Sequence, residues 1–194
     1  MSLRPAFEIG LWNAWIFLLY FPLHPLLMLL IDKLVGVGDI FKKMGTPSYS
    51  KTEKRISNGF ILVMILATTY SVFLPLQLGT AWFYVGLPIY LVGLIIFVVA
   101  IVNVATTPHG EVFTKGAYRY SRHPLLLGGI LTFIGIAIAS ASWVFFLASI
   151  VLMVLSHLVV IPEERLCLDK YGEAYREYVN RTPRWIGIPK SGEE

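Results

Sequence analysis

The side chains able to do chemistry fall into two short segments. One is Asn103 to Pro124, NVATTPHGEVFTKGAYRYSRHP; the other begins at Pro162, PEERLCLDKYGEAYREYVNRTPRWIGIP. In the second, Glu163 and Glu164 follow directly on a long apolar run and Pro162. Carboxylates at the edge of an apolar segment are costly unless they are solvated or paired. Two roles suit such a pair. It can cap a following helix, with Pro162 in the first turn and the acids at its positive end. It can also bind a cation, an ammonium group or a ribose diol. His123 stands between Arg122 and Pro124 at the head of another apolar stretch. Taken alone, it reads as an interfacial side chain ahead of a helix-starting proline. His109-Gly110 offers less, and His24 and His157, inside apolar blocks, read as buried hydrogen-bonding histidines. Tyr118, Tyr120, Tyr171, Tyr175 and Tyr178 suit an interfacial aromatic belt.

Several chemistries have no residues to carry them. No nucleophile-elbow, Walker or dinucleotide Gly-rich motif is present, and Gly110, Gly116, Gly128 and Gly129 do not make a phosphate-binding loop. Cys167 is the only cysteine, so no intrachain disulfide forms, and no Cys cluster offers a zinc site. No metal is expected.

The elements that must position these segments are apolar. Of the 194 residues 56% are hydrophobic and 14% charged, against about 25% charged in a soluble domain. The apolar residues lie in long blocks, which points to lipid as the solvent. About 20 residues at 1.5 Å each cross the hydrocarbon layer. Five blocks approach that length: about 11–31, 59–76, 81–104, 124–139 and 143–161. The expected fold is therefore an all-α membrane bundle of about five transmembrane helices in a single domain. Pro22 and Pro25 should kink or break the first. A cleaved signal peptide fits that block less well, because it is long and no small-x-small site follows. Leu78 to Thr80 allow only a tight turn, predicting one helical hairpin; Ser140 to Ser142 predict a second. Gly128, Gly129, Gly135, Ala137 and Ala139 would let a partner helix approach closely.

With five spans, every Lys and Arg except Arg4 falls on one side, in the 32–56 loop, the 105–123 loop and the tail. The positive-inside rule makes that side cytoplasmic and the N-terminus external. The charges are spread over three juxtamembrane segments and form no nucleic-acid recognition motif; topology and contact with anionic lipid heads account for them.

The ordered combination TKGAYRYSRHPLLLG (114–128), an apolar hairpin, and EERLCLDKYGEAYREYVNRTPR (163–184) resembles the isoprenylcysteine carboxyl methyltransferase family. That family shares a wider group with the phospholipid N-methyltransferases. The shared pattern is roughly [ST]-x-G-x-Y-x-x-x-R-H-P, then E-E-x-x-L, G-x-x-Y-x-x-Y and P-R, covering about residues 103–189. The resemblance implies S-adenosylmethionine as methyl donor, S-adenosylhomocysteine as product, and a lipid or prenylated acceptor entering from the bilayer. It places the donor pocket on Asn103, on Gly110, Glu111, Val112 and Phe113, on Tyr118, on His123, Pro124, Leu125 and Leu126, and on Glu163, with Glu164 a neighbouring candidate. In that carry-over Glu163 holds the donor's amino group or ribose. His123 and the backbone before it meet its polar ends, and Phe113 and Tyr118 pack on the adenine. Two positions depart from the family. Leu126 stands where an aromatic is common. Val159 replaces the arginine that eukaryotic carboxyl methyltransferases carry four residues before the first glutamate, which leaves the acceptor open.

An ionised carboxylate acceptor needs no general base, so positioning and water exclusion would supply the catalysis. A phospholipid amine acceptor would need one, and Glu164 or His123 could serve. Membrane sterol reductases share a related C-terminal pattern but are usually much longer. A non-catalytic carrier or assembly factor is the alternative from another class, and the apolar blocks hold no Asp, Glu, Lys or Arg to couple ions. The segment 163–181 is expected to be helical, with Leu166, Tyr171, Tyr175 and Tyr178 packing downward as part of a lid over 163–194. Arg184 would close onto the donor's carboxylate or lipid heads. The glycines of the fourth block would either thin its wall into an entrance or simply pack helices closely.

Overall fold

The computed structural model describes residues 7–35 and 43–189. Every regular element among these residues is a helix, with no strand and one isolated bridge between Asn13 and Pro75. A 3-10 turn, Ala14–Leu18, leads into α1 (Tyr20–Val35), which continues through Pro25. Next come α2 (Lys51–Ser71), α3 (Ala81–Thr106), α4 (Pro124–Ala139), α5 (Trp143–Tyr171) and α6 (Glu173–Arg181).

Among the described residues three segments are long and apolar enough to cross a membrane, Ala14–Ile31, α3 and α5, and α4 is a shorter apolar helix. The second block differs from its expected 59–76. The Ser50 hydroxyl oxygen accepts a hydrogen bond from the Glu53 amide, and the Glu53 carboxylate accepts one from the Ser50 amide. This capping box starts α2 at Lys51, among charged residues. At the other end Pro75 disfavours helix in the residue before it, and α2 stops at Ser71. Residues 72–77 then run beside the N-terminal segment, with Ala14 N–H donating to Leu74 C=O (2.8 Å) and Leu76 N–H to Trp12 C=O (3.0 Å). The first expected hairpin is not packed as one, since α2 lies along α5 and α3 lies along α4.

The α3–α4 seam is where the glycines act. A Cβ on Gly128 would stand 2.7 Å from Phe97 N, one on Gly135 2.5 Å from Tyr90 N, and one on Gly86 2.3 Å from Ala139 N. The two antiparallel backbones therefore touch, as small residues permit. The partner of these residues is the preceding helix, not the following one, and the close-packing role holds for Gly128 and Gly135. Gly129 faces open space.

The longest helix, α5, has 29 residues, or about 43 Å. Its uncharged stretch ends at Pro162, so its last turns project beyond the apolar layer. Pro162 starts no new helix, contrary to expectation. It sits inside α5, fully buried with Val159 and Val160 beside it, and the break comes at Gly172. There φ is +55°, a value natural to glycine. The chain ends sort cleanly. The N-terminal segment, residues 72–80 and the 140–142 turn meet at one end, where Gln77 N–H donates to Ala139 C=O (3.0 Å). Residues 43–50, 107–123 and 163–189 meet at the other.

Candidate functional site

At that second end the 107–123 segment is held from below by Asn103. Its Oδ1 accepts the Ala117 amide (3.0 Å), and its carbonyl accepts both the amide and the hydroxyl of Thr107. Gly116 allows this: φ is +58°, and a Cβ there would lie 2.3 Å from Asn103 Oδ1. The short turn Gly116–Arg119 that follows buries Tyr118. The chain then enters α4 with His123 as N-cap residue and Pro124 in the first turn.

His123 meets the two glutamates of α5. Its Nδ1 lies 3.5 Å from Glu163 Oε2 and its Nε2 3.1 Å from Glu164 Oε1. Burial opposes a charge on the imidazole, but hydrogen bonds and charge from Glu163 and Glu164 outweigh it and raise its pKa. Glu164 also receives Arg122 Nη1 (3.0 Å) and Arg184 through Nε (3.0 Å) and Nη2 (2.5 Å). Burial would raise its carboxyl. Hydrogen bonds from His123 and Arg184 and the Arg122 charge prevail, holding it at about 2. The pair is thus split: Glu164 has its oxygens spent, while the Glu163 side chain keeps 40% of its surface open.

A cavity of about 250 Å³ opens beside this cluster. Seven of the twelve expected positions line it: Val112, Phe113, Tyr118, His123, Leu125, Leu126 and Glu163. Five do not. Asn103 supports the Gly116 turn, and Pro124 is buried at the start of α4. Gly110 and Glu111 are exposed on the loop, and Glu164 stands behind the cavity in its ion cluster. Leu166, Tyr171, Tyr175 and Tyr178 also line it. The Tyr178 hydroxyl donates to Tyr118 C=O (2.6 Å). Arg184 pairs with Glu164 and does not line the cavity. Cys167 lines the wall, its thiol pushed by burial and the Glu163 charge up to about 11.

A third wall escaped the sequence reading: Met44, Gly45 and Pro47, from a strap crossing the end of α5. Lys43 Nζ, buried, donates to Ala105 C=O (3.0 Å). Lys170 Nζ donates to Lys43 C=O (2.7 Å), and Arg165 bridges Ser48 C=O and both oxygens of Glu53. Arg122 was also missed. Its Nη1 is paired, yet its buried Nε has no partner. The tail closes the opposite side. Arg122 N–H donates to Pro183 C=O (3.1 Å), Ser121 Oγ to Arg184 C=O (3.3 Å) and Gly187 N–H to Tyr120 C=O (3.1 Å). Among the described residues no group of His, Cys, Asp and Glu is placed to hold a metal ion.

Chemically, the arrangement offers one half-free carboxylate, an imidazole biased toward its charged form by two carboxylates, a guanidinium with a spare donor and aromatic walls. Residues 83–174 match the family described as phospholipid methyltransferase. The match supports a membrane methyltransferase and agrees with the group that joins the isoprenylcysteine and phospholipid enzymes. It includes α3, the 107–123 segment, α4 and α5, but neither the strap nor Arg184. A comparison with curated proteins returns no match.

Proposed function

We propose that the chain transfers a methyl group from S-adenosylmethionine to a lipid-borne acceptor, the carboxylate of an isoprenylcysteine or of a similar lipid. The observation that carries this reading is the meeting of the two motif segments at one cavity, with His123 and Glu163 3.5 Å apart on its wall. The residues suit the donor. The open edge of Glu163 can accept from an ammonium or a ribose. The spare Nε of Arg122 can donate to a carboxylate, and Phe113 and Tyr118, with ring centroids 5.6 Å apart, give an aromatic face for a purine. The volume is just under the range of about 300–1,000 Å³ usual for small-molecule sites, so the strap or the tail must yield a little to admit the whole donor.

Bound there, S-adenosylmethionine supplies an electrophilic methyl group on a sulfonium. The chain's own part is to fix orientation and exclude water. Tyr118, Tyr175 and Tyr178 wall the site from one side and the strap from another. Cys167, with its thiol held protonated, is no nucleophile, which fits direct transfer to the acceptor. In this reading the polar end is cytoplasmic, the N-terminus lies outside, and the acceptor enters sideways from the bilayer. The α3–α4 seam around Gly128 and Gly135 is closed by backbone contact, so the space between α1 and the α4–α5 hairpin is the better route.

The matched family favours a second acceptor, a phospholipid amine. An ammonium must lose a proton before attack. His123, held toward its charged form by two carboxylates, is poorly suited to take it, which leaves Glu163. One experiment separates these readings. The purified protein is incubated with methyl-labelled S-adenosylmethionine and either farnesylated cysteine or phosphatidylethanolamine, with S-adenosylhomocysteine binding measured alongside by calorimetry. Label in one lipid identifies the acceptor. Glu163→Gln should cost roughly 1.5–3 kcal/mol of S-adenosylhomocysteine affinity through loss of a charge-assisted hydrogen bond. Neither binding nor transfer would refute the proposal and favour a non-catalytic membrane protein.

A further inference from the structure

Beyond the cavity, the last described residues carry a feature that methyl transfer does not use. Trp185, Ile186, Gly187, Ile188 and Pro189 follow the lid helix α6, and Ile186 and Ile188 are 71% and 89% exposed. The segment is not loose: Gly187 N–H donates to Tyr120 C=O, and Pro183 C=O accepts from the Arg122 amide. Two large aliphatic side chains are thus held outward on a fixed backbone.

Trp185 shows which way the segment faces. Its ring lies 6.1 Å from His123, which is level with Glu163 and Glu164, and 4.7 Å from His157. His157 is six residues before Glu163 on α5, about 9 Å nearer the membrane centre at 1.5 Å per residue. The indole therefore reaches from the ionic cluster down the side of α5. There it joins a face whose neighbours Val154, Leu158 and Ile161 are exposed apolar residues (56%, 41% and 43%) on a helix long and apolar enough to span a bilayer. The tail's apolar surface is continuous with the surface that lipid covers. Arg119 and Arg181, both exposed, flank it at the same end.

We infer that residues 185–188 form an interfacial membrane anchor. Trp185 packs on His123 and His157 with its indole Nε1 buried, Ile186 and Ile188 dip into the same bilayer that α5 crosses, and the lid is thereby moored to lipid as well as to Glu164. The inference rests on α5 spanning the membrane and is independent of the methyltransferase reading.

The test uses the full chain in lipid nanodiscs with Cys167→Ser and one added cysteine, spin-labelled. Ile186→Cys and Ile188→Cys are the probes; both side chains are exposed, so the fold tolerates them. Leu158→Cys on α5 is the lipid reference and Glu173→Cys on α6 the water reference. Accessibility to oxygen, which concentrates in lipid, is compared with accessibility to a water-soluble nickel chelate. The anchor requires the labels at 186 and 188 to follow 158, several-fold more accessible to oxygen than to nickel. If they follow 173, the segment lies in water and the inference fails. If they are shielded from both reagents, protein covers them, and it fails equally.

Discussion

Replacing Glu164 by glutamine removes one negative charge from a carboxylate that faces Arg122, His123 and Arg184. Its side chain is 14% exposed, so solvent does little to replace the lost interactions. Its pKa falls from the ordinary 4.5 to about 2. At 1.36 kcal/mol per tenfold change, that is worth roughly 3 kcal/mol of stability at neutral pH. Breaking a buried pair from one side costs about 3–5 kcal/mol. The glutamine oxygen still accepts some of the hydrogen bonds, so the lower end applies. In a chain of this size about 3 kcal/mol lowers Tm by roughly 6–12 °C.

The pH dependence gives a second check. A carboxylate with a depressed folded pKa contributes stability that is complete above its unfolded value and lost as pH falls through the folded one. The gap between wild type and Glu164→Gln should therefore be full near about pH 7 and should shrink below the ordinary carboxylate pKa, toward about 2. His123 behaves in the opposite sense. Its raised pKa gives a contribution complete below the ordinary 6.5 and lost as pH rises through the folded value. In Glu164→Gln that imidazole keeps only Glu163, so the loss on the alkaline side should begin at a lower pH. Thermal unfolding in detergent across this range is the assay. An unchanged Tm at neutral pH, or a gap that stays constant into acid, would refute the account of the cluster.

Three other outcomes follow from the packing. Gly128→Ala and Gly135→Ala place a methyl group 2.5–2.7 Å from the α3 backbone and should each destabilise by about 1–3 kcal/mol. Gly129→Ala, with nothing within 4 Å, should be near neutral in the same thermal assay. Cys167, with its thiol moved from 9.0 to about 11, should react with iodoacetamide about a hundredfold more slowly in the folded protein than after denaturation; equal rates timed by mass spectrometry would contradict its burial. Deleting residues 182–194 removes Arg184 and the bonds from Pro183 and Gly187 to the 120–122 segment. That truncation should insert into membranes normally but melt earlier and bind S-adenosylhomocysteine more weakly, by fluorescence-detected chromatography and calorimetry.

The sequence made the long apolar helices plain, because α3, α4 and α5 are uncharged over their apolar stretches and their ends are marked by Thr80, Pro124 and Ser142. It was less clear for α2. Ser50 and Glu53 are spaced as a capping box, yet they lie among lysines and read as loop. Pro162 misled in the other direction. A proline followed by two acids has the look of a helix start, but Val159, Val160 and Pro162 are buried together, and that packing carries α5 straight through. At the site, His123 and Glu163 stood out as titratable groups beside apolar stretches, whereas Phe113 and Tyr118 were placed at the pocket only by the family resemblance. Met44, Gly45 and Pro47 were not. None has a reactive group, they sit far from the motifs in sequence, and bonds made by Lys43, Lys170 and Arg165 bring them to the cavity. Arg184 was found but given the wrong partner, since nothing in the sequence shows that Glu164 already faces two other cations.

The continuity of α5 explains how one short stretch can organise three separate structures. Successive residues on a helix point about 100° apart. Glu163 turns to the cavity and His123, Glu164 to Arg122 and the tail through Arg184, and Arg165 to the strap through Glu53 and Ser48. Lys170, further along the same rigid rod, ties the strap a second time. Had the helix restarted at Pro162, these residues would sit on a hinge, and the cavity, tail and strap could shift separately. Because it does not, the orientation of the glutamates is set by the packing of α5 deep in the bundle, against α2 and α4. A rotation of α5 that carried each residue into its successor's place would put Glu163 under the tail and turn Pro162 toward the cavity, leaving the cavity without a carboxylate. The tight glycine seam on α3 fixes α4, and α4 in turn fixes His123 opposite α5. The register of an apolar bundle, far from any charged group, thereby decides which glutamate is free to meet a ligand.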